Sequence, residues 1–159
     1  MDVKTLIIHP EKCNNCNDCV TACIKIHSSL TRQGLSCIRI LKDNEDENFF
    51  FPLVCKQCEN PPCMEVCPKE AIFRDDELNR LLIDRQKCVG CGYCVSACPF
   101  GAIKLDKQKV KSYKCDLCGG DPECVKVCEP MAIVYQDVEM LERPSMARVA
   151  GKLARLSKF

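Results

Sequence analysis

One cysteine spacing, written four times along the chain, constrains the fold more than any other feature. Cys13, Cys16, Cys19 and Cys23 stand at the same intervals as Cys88, Cys91, Cys94 and Cys98. Two further groups, Cys55, Cys58, Cys63, Cys67 and Cys115, Cys118, Cys124, Cys128, keep the first pair and the last x-x-x-C step but lengthen the middle. The flanks repeat as well. Apolar residues lead in at Leu6-Ile7-Ile8 and Leu81-Leu82-Ile83, and an Ala-Ile pair follows the last cysteine at Ala71-Ile72, Ala102-Ile103 and Ala132-Ile133. Each unit reads as short strand, cysteine loop, a helical turn or two, then short strand. The first unit departs from this, because Ile24-Lys25-Ile26-His27 follow Cys23 without an Ala-Ile pair.

Between the first and second units, Leu35 to Leu41 and Phe49 to Val54 are apolar, β-branched and aromatic, and the polar run Lys42 to Glu47 separates them. That pattern predicts a β-hairpin inserted into the repeat. The expected class is α+β. An outer pair of units spans 4–34 and 107–136, the hairpin 35–54 and the inner pair 55–106, so 1–136 forms one domain. Residues 137–159 follow as a tail: Pro144 suits a first helical turn, and Met146, Val149, Ala150, Leu153 and Leu156 recur at helical spacing opposite Arg148, Lys152, Arg155 and Lys158. The tail is expected to be an amphipathic helix that docks another subunit or a second copy of the chain.

Seventeen cysteines in 159 residues imply either a disulfide scaffold or a metal-loaded protein. A disulfide scaffold belongs to secreted chains, and the start Met1-Asp2-Val3-Lys4 has no basic segment, apolar stretch or small-residue cleavage site. No apolar run approaches the roughly 18 residues of a membrane span. The expected location is the cytoplasm, where dense cysteine means metal or redox chemistry. The formal charge of +1 counts every thiol as neutral. Four clusters with their thiolates add about −8, which makes the loaded chain acidic and removes most of the support for nucleic-acid binding.

The spacing selects among metals. A C-x-x-C-x-x-C loop can wrap three corners of a cubane 4Fe-4S cluster, and the fourth cysteine is aimed away from that loop. Structural zinc combines two separated pairs of ligands, and only His9 and His27 are available as imidazole donors, neither at ligand spacing. No phosphate-binding glycine motif occurs, and no catalytic cysteine has a base to activate it. The chain therefore reads as an electron carrier with no catalytic residues of its own.

The stretches from Cys88 to Ile103 and from Lys114 to Cys124 carry a resemblance. Over about residues 4 to 136 the chain resembles the four-cluster, ferredoxin-like subunits of molybdenum or tungsten oxidoreductases such as formate dehydrogenase and aldehyde oxidoreductase, of formate-linked hydrogenases and of carbon monoxide dehydrogenases. The resemblance implies tandem bacterial-ferredoxin-like modules in which the first motif interlocks with the fourth and the second with the third. The implied ligand sets are Cys13, Cys16, Cys19 with Cys128; Cys115, Cys118, Cys124 with Cys23; Cys55, Cys58, Cys63 with Cys98; and Cys88, Cys91, Cys94 with Cys67. It implies four 4Fe-4S clusters forming a wire from a catalytic oxidoreductase subunit to an acceptor or further redox subunit. The alternative is a freely diffusing polyferredoxin. Pro68 and Pro99 follow their cysteines as in bacterial ferredoxins, whereas Ile24 and Glu129 follow Cys23 and Cys128.

The remaining residues carry weaker expectations. Cys37, outside every motif, reads as a small buried hydrophobe. Tyr93 and Phe100 read as packing residues that shield cluster sulfurs from water. Lys104, Lys107, Lys109, Lys111 and Lys114 form a basic stretch that is either a solvated strand face or a functional one, which docks an acidic partner surface or tunes nearby potentials by its positive charge.

Overall fold

Four two-stranded antiparallel ribbons carry the cysteine loops, and one of them joins the two ends of the described chain. The computed structural model describes residues 4–28, 35–108 and 110–137. Strand β1 (Lys4–Ile8) pairs with β8 (Ile133–Asp137), placing Leu6 opposite Tyr135 and Ile8 opposite Ile133. The ladder continues past β1, where the His9 amide donates to Ala132 O at 2.8 Å. The other ribbons are local: β2 (Arg39–Lys42) with β3 (Phe50–Leu53), β4 (Ile72–Asp75) with β5 (Arg80–Ile83), and β6 (Lys104–Asp106) with β7 (Lys111–Tyr113). Short helices fill the gaps: α1 (Asp18–Ile26), α2 (Pro62–Glu65), α3 (Tyr93–Ala97) and α4 (Glu123–Lys126).

An isolated two-stranded ribbon is marginal in water, so these ribbons depend on packing. The larger core gathers Leu6, Ile38, Phe51, Leu53, Val54, Leu117 and Ile133, and Cys19, Cys23, Cys55, Cys115 and Cys124 are buried within it. A second core joins Ile72 and Ile103 to Cys63 and Cys94. In both, sulfur takes the place that aliphatic carbon fills in an ordinary domain. What the cysteines bind therefore bears directly on whether the fold is stable.

The repeat is also written in the backbone. In every motif the residue before the second cysteine has positive φ: Asn15 at 60°, Gln57 at 49°, Gly90 at 70° and Leu117 at 58°. This left-handed step curls each loop back on itself, at a steric cost for the three residues that carry a Cβ. At the third loop nothing but glycine fits, since a Cβ on Gly90 would lie 2.2 Å from Val110 O. A second left-handed step comes three residues after the last cysteine, at Glu70, Gly101 and Met131, and turns the chain into β4, β6 and β8. The first unit has no such step. There α1 continues through Cys23 to Ile26, as the missing Ala-Ile pair suggests.

The inserted hairpin forms with narrower strands than the apolar pattern predicts. Ser36 to Ile38 are buried but lie outside β2, and the Ile38 amide is held by Ser36 Oγ at 2.9 Å. Asp43 and Asp46 close the turn by accepting from the amides of Glu45 and Asn48 at 2.9 and 3.1 Å. The expected amphipathic tail lies outside the described residues, apart from Asp137 at the end of β8. Among the described residues no helix is long and apolar enough to cross a membrane.

Candidate metal centres

The ribbon between β1 and β8 brings the first and fourth loops together, and α2 packs beside α3 to do the same for the second and third. The thiols consequently fall into four neighbourhoods. In the first, burial pushes the Cys19 thiol up to about 12, and repulsion from Cys128, Cys16 and Cys13 adds to it. In the second, burial pushes Cys124 up to about 12 beside Cys118, Cys23 and Cys19. Cys115 is raised there too, first by burial, with Cys55 and Cys124 as neighbours. In the third, burial pushes Cys63 up to about 11; the Lys114 charge opposes this, and Cys55, Cys98 and Cys58 reinforce it. In the fourth, burial raises Cys94, the Ser112 hydroxyl 3.3 Å from its sulfur opposes the shift, and Cys88, Cys91 and Cys67 add repulsion. Cys67, Cys88, Cys91 and Cys94 together line one cavity with Ala71, Ile72 and Ser112.

Four thiols pressed together in apolar surroundings resist ionisation, and only a cationic centre makes four thiolates tolerable there. All-sulfur donor sets select soft metals, zinc or iron-sulfur clusters. Backbone amides aimed at the sulfurs fit a cluster, because such bonds delocalise thiolate charge and tune potential. The Ala71 amide donates to Cys67 Sγ at 3.3 Å and the Ala102 amide to Cys98 Sγ at 3.4 Å. At Cys23, where no Ala-Ile pair follows, the Cys37 amide takes this place at 3.2 Å.

Cys37 is buried, as expected of a small hydrophobe, yet it does more than fill space. Its thiol hydrogen-bonds Cys23 and holds that group well below the ordinary thiol range; burial opposes this, and His27 and Ser36 assist. Cys37 itself is pushed far up by the same bond. His27, which the spacing argument sets aside, lies one helical turn beyond Cys23. Its Nδ1 is 3.8 Å from Cys23 Sγ, and its Nε2 is 3.1 Å from Asp116 Oδ1. Asp116, then Cys23, push this imidazole up to about 11. The four-residue step from Cys23 on one helix was the signal available in the sequence.

Two further expectations are corrected. Tyr93 and Phe100 are 60% and 40% exposed, so neither is buried as a core packing residue is. The basic stretch is neither a solvated face nor one docking surface. Lys104 is half-buried and donates to Ser36 O at 2.7 Å, Lys111 donates to Cys88 O, and Lys114 is buried. Lys107 alone of the described members is exposed, and Lys109 lies outside the described residues.

Known proteins are similar to this chain in sequence. Residues 46–138, more than half of the chain, match the 4Fe-4S dicluster domain family. A ferredoxin of Methanocaldococcus jannaschii is 36% identical over 146 residues, covering 89% of this chain and 85% of the relative. The polyferredoxin-like subunit of an aliphatic sulfonate oxidoreductase from Pyrococcus furiosus is 34% identical, covering 77% of this chain and 70% of that one. A thiosulfate reductase electron transfer subunit of Salmonella typhi is likewise 34% identical, with 82% and 74% covered. The chain belongs to the ferredoxin-like 4Fe-4S dicluster family.

The raised thiols give a pH dependence with a definite sign. Between about 9 and about 12 the folded, metal-free chain holds protons on Cys19 and Cys124 that the unfolded chain releases. The stability they contribute is present below that range and is lost as pH rises through it. The urea midpoint of the metal-free chain, followed by far-UV circular dichroism, should therefore fall across this range. A midpoint independent of pH there would contradict the assignment of these thiols as buried and crowded.

Proposed function

We propose that the chain is an electron-transfer subunit holding four 4Fe-4S clusters, which links a catalytic oxidoreductase subunit to an acceptor or second redox subunit. The proposed ligands are Cys13, Cys16, Cys19 with Cys128; Cys115, Cys118, Cys124 with Cys23; Cys55, Cys58, Cys63 with Cys98; and Cys88, Cys91, Cys94 with Cys67. The observation that carries this reading is the exchange of the fourth cysteine. In each neighbourhood three thiols come from one loop and the fourth from its partner loop. A 4Fe-4S cluster supplies reversible one-electron storage, with a potential set by charge, hydrogen bonds and exposure.

The neighbourhoods also follow one another in order, which favours a wire over four independent stores. Cys19 adjoins Cys124, and Cys55 adjoins Cys115. Cys67 and Cys98 tie the last two sets by exchange. At the two ends of this series Cys16 and Cys91 are exposed, whereas the two middle sets contain no exposed cysteine. The relatives named as subunits of a sulfonate oxidoreductase and a thiosulfate reductase favour a dedicated subunit over a diffusing shuttle. The catalytic partner belongs to the molybdenum or tungsten oxidoreductases, hydrogenases or carbon monoxide dehydrogenases that the sequence resemblance implies.

Two experiments test this reading. Cys67→Ser should damage the cluster signal of the Cys88, Cys91, Cys94 loop and spare that of the Cys55, Cys58, Cys63 loop, as read by electron paramagnetic resonance. Damage confined to the second loop would refute the exchange. Affinity purification of the chain from its native host at about 1 M salt, where surface charge is screened within roughly 3 Å, should retain a catalytic oxidoreductase subunit. Elution of the chain alone would favour the diffusing carrier.

A further inference from the structure

Lys114 is a buried side chain, 7% exposed, directly before the first cysteine of the fourth motif. Its Nζ donates to Leu81 O, to Cys115 O at 2.9 Å and to Gln57 Oε1 at 3.4 Å. Gln57 is the left-handed residue of the second loop. It reaches across in turn, its Nε2 donating to Cys115 O at 2.9 Å while its Oε1 accepts from the Leu81 amide at 2.8 Å. The ammonium is thus held where the second and fourth cysteine loops meet.

All three acceptors are neutral oxygens. Among the described residues no carboxylate pairs with Lys114, although four other basic side chains have acidic partners. A buried ammonium without a counter-charge is costly, so the structure must supply negative charge elsewhere. The nearest source is the cysteines of both loops. Lys114 directly precedes Cys115, whose carbonyl it bonds, and it bonds the side chain of Gln57, the residue before Cys58, so ligands of both loops lie beside the ammonium. Thiolates bearing clusters of net charge about −2 would complete the compensation.

We infer that Lys114 is a shared counter-charge for two adjacent clusters, those of Cys55, Cys58, Cys63, Cys98 and of Cys23, Cys115, Cys118, Cys124, and that it raises both of their reduction potentials. The inference rests on the four-cluster reading above. Reduction adds negative charge to a cluster, and a fixed cation beside it favours the reduced form. Placed between two clusters, one ammonium acts on both and keeps them close to each other in potential. Lys114 is a positioning and tuning residue that need not touch iron or sulfide.

The test is an anaerobic redox titration of the full-length, cluster-loaded chain, with each cluster followed by its own paramagnetic signal. Lys114→Met should lower the reduction equilibrium constant of the two clusters beside it, the inner two of the series, by about tenfold, which is about 59 mV for a one-electron step, and leave the two at the ends of the series unmoved. Lys114→Arg should keep the inner potentials near those of the parent. Unchanged potentials in loaded Lys114→Met, or an equal shift of all four, would overturn the inference. Should Lys114→Met fail to take up iron, Lys114→Gln supplies a neutral variant that still donates to the Leu81 and Cys115 carbonyls. Failure of both neutral variants with normal loading of Lys114→Arg supports the counter-charge. Failure of all three shows that lysine geometry, not charge, is required, and overturns it. A parent protein with fewer than four resolved clusters would instead overturn the four-cluster reading itself.

Discussion

The cost of ionising buried, crowded thiols governs this structure. Nothing else among the described residues presses so many ionisable groups into so little apolar space, and the thiols of Cys19, Cys63 and Cys124, raised first by burial and then by one another, register that cost. The cores around them are thin. Where an ordinary domain of this size would bury Leu and Phe, this one buries sulfur. Metal binding then adds to what the thin apolar cores supply, because deprotonation and coordination are coupled to folding. Ribbons of two strands and helices of four to nine residues, marginal by themselves, are sufficient once each loop is anchored at several sulfurs.

The same constraint explains the topology. In the proposed ligand sets a loop that contributes three sulfurs gives its fourth to a neighbour, so no unit is complete alone. Joining β1 to β8 brings the first and fourth units into contact across almost the whole described chain, and the second and third sit between them. Each pair becomes a small interlocked module. The left-handed residue before the second cysteine recurs in all four loops as Asn, Gln, Gly and Leu, which shows that the loop's shape is kept even where the side chain makes it expensive. The cost is of the order of 1 kcal/mol per residue and is small beside that of a misplaced ligand.

Much of this was legible in the sequence. Spacing alone identified the loops, the Ala-Ile pairs marked the strands β4, β6 and β8, and the absence of that pair after Cys23 correctly singled out the first unit. The parts that were not legible share a physical reason: they depend on what lies across the fold. Cys37 looks like an isolated apolar thiol until the hairpin folds back and puts its amide on Cys23 Sγ. His27 has no ligand spacing, yet α1 carries it between Cys23 and Asp116. Lys111 and Lys114 belong to a lysine-rich run that reads as a solvated face, and only the packed structure brings them onto backbone carbonyls of Cys88 and Leu81. Tyr93 and Phe100 err in the opposite direction, since aromatic character suggests packing and both are exposed.

The central claim is that the thiols of this chain are arranged to compensate four separate iron-sulfur cores. Iron and acid-labile sulfide, counted per chain on protein purified without oxygen, test it most directly. The account predicts about 16 of each, four cubanes' worth. Stoichiometric zinc with little sulfide, or iron near half that value with every cysteine intact, would contradict it.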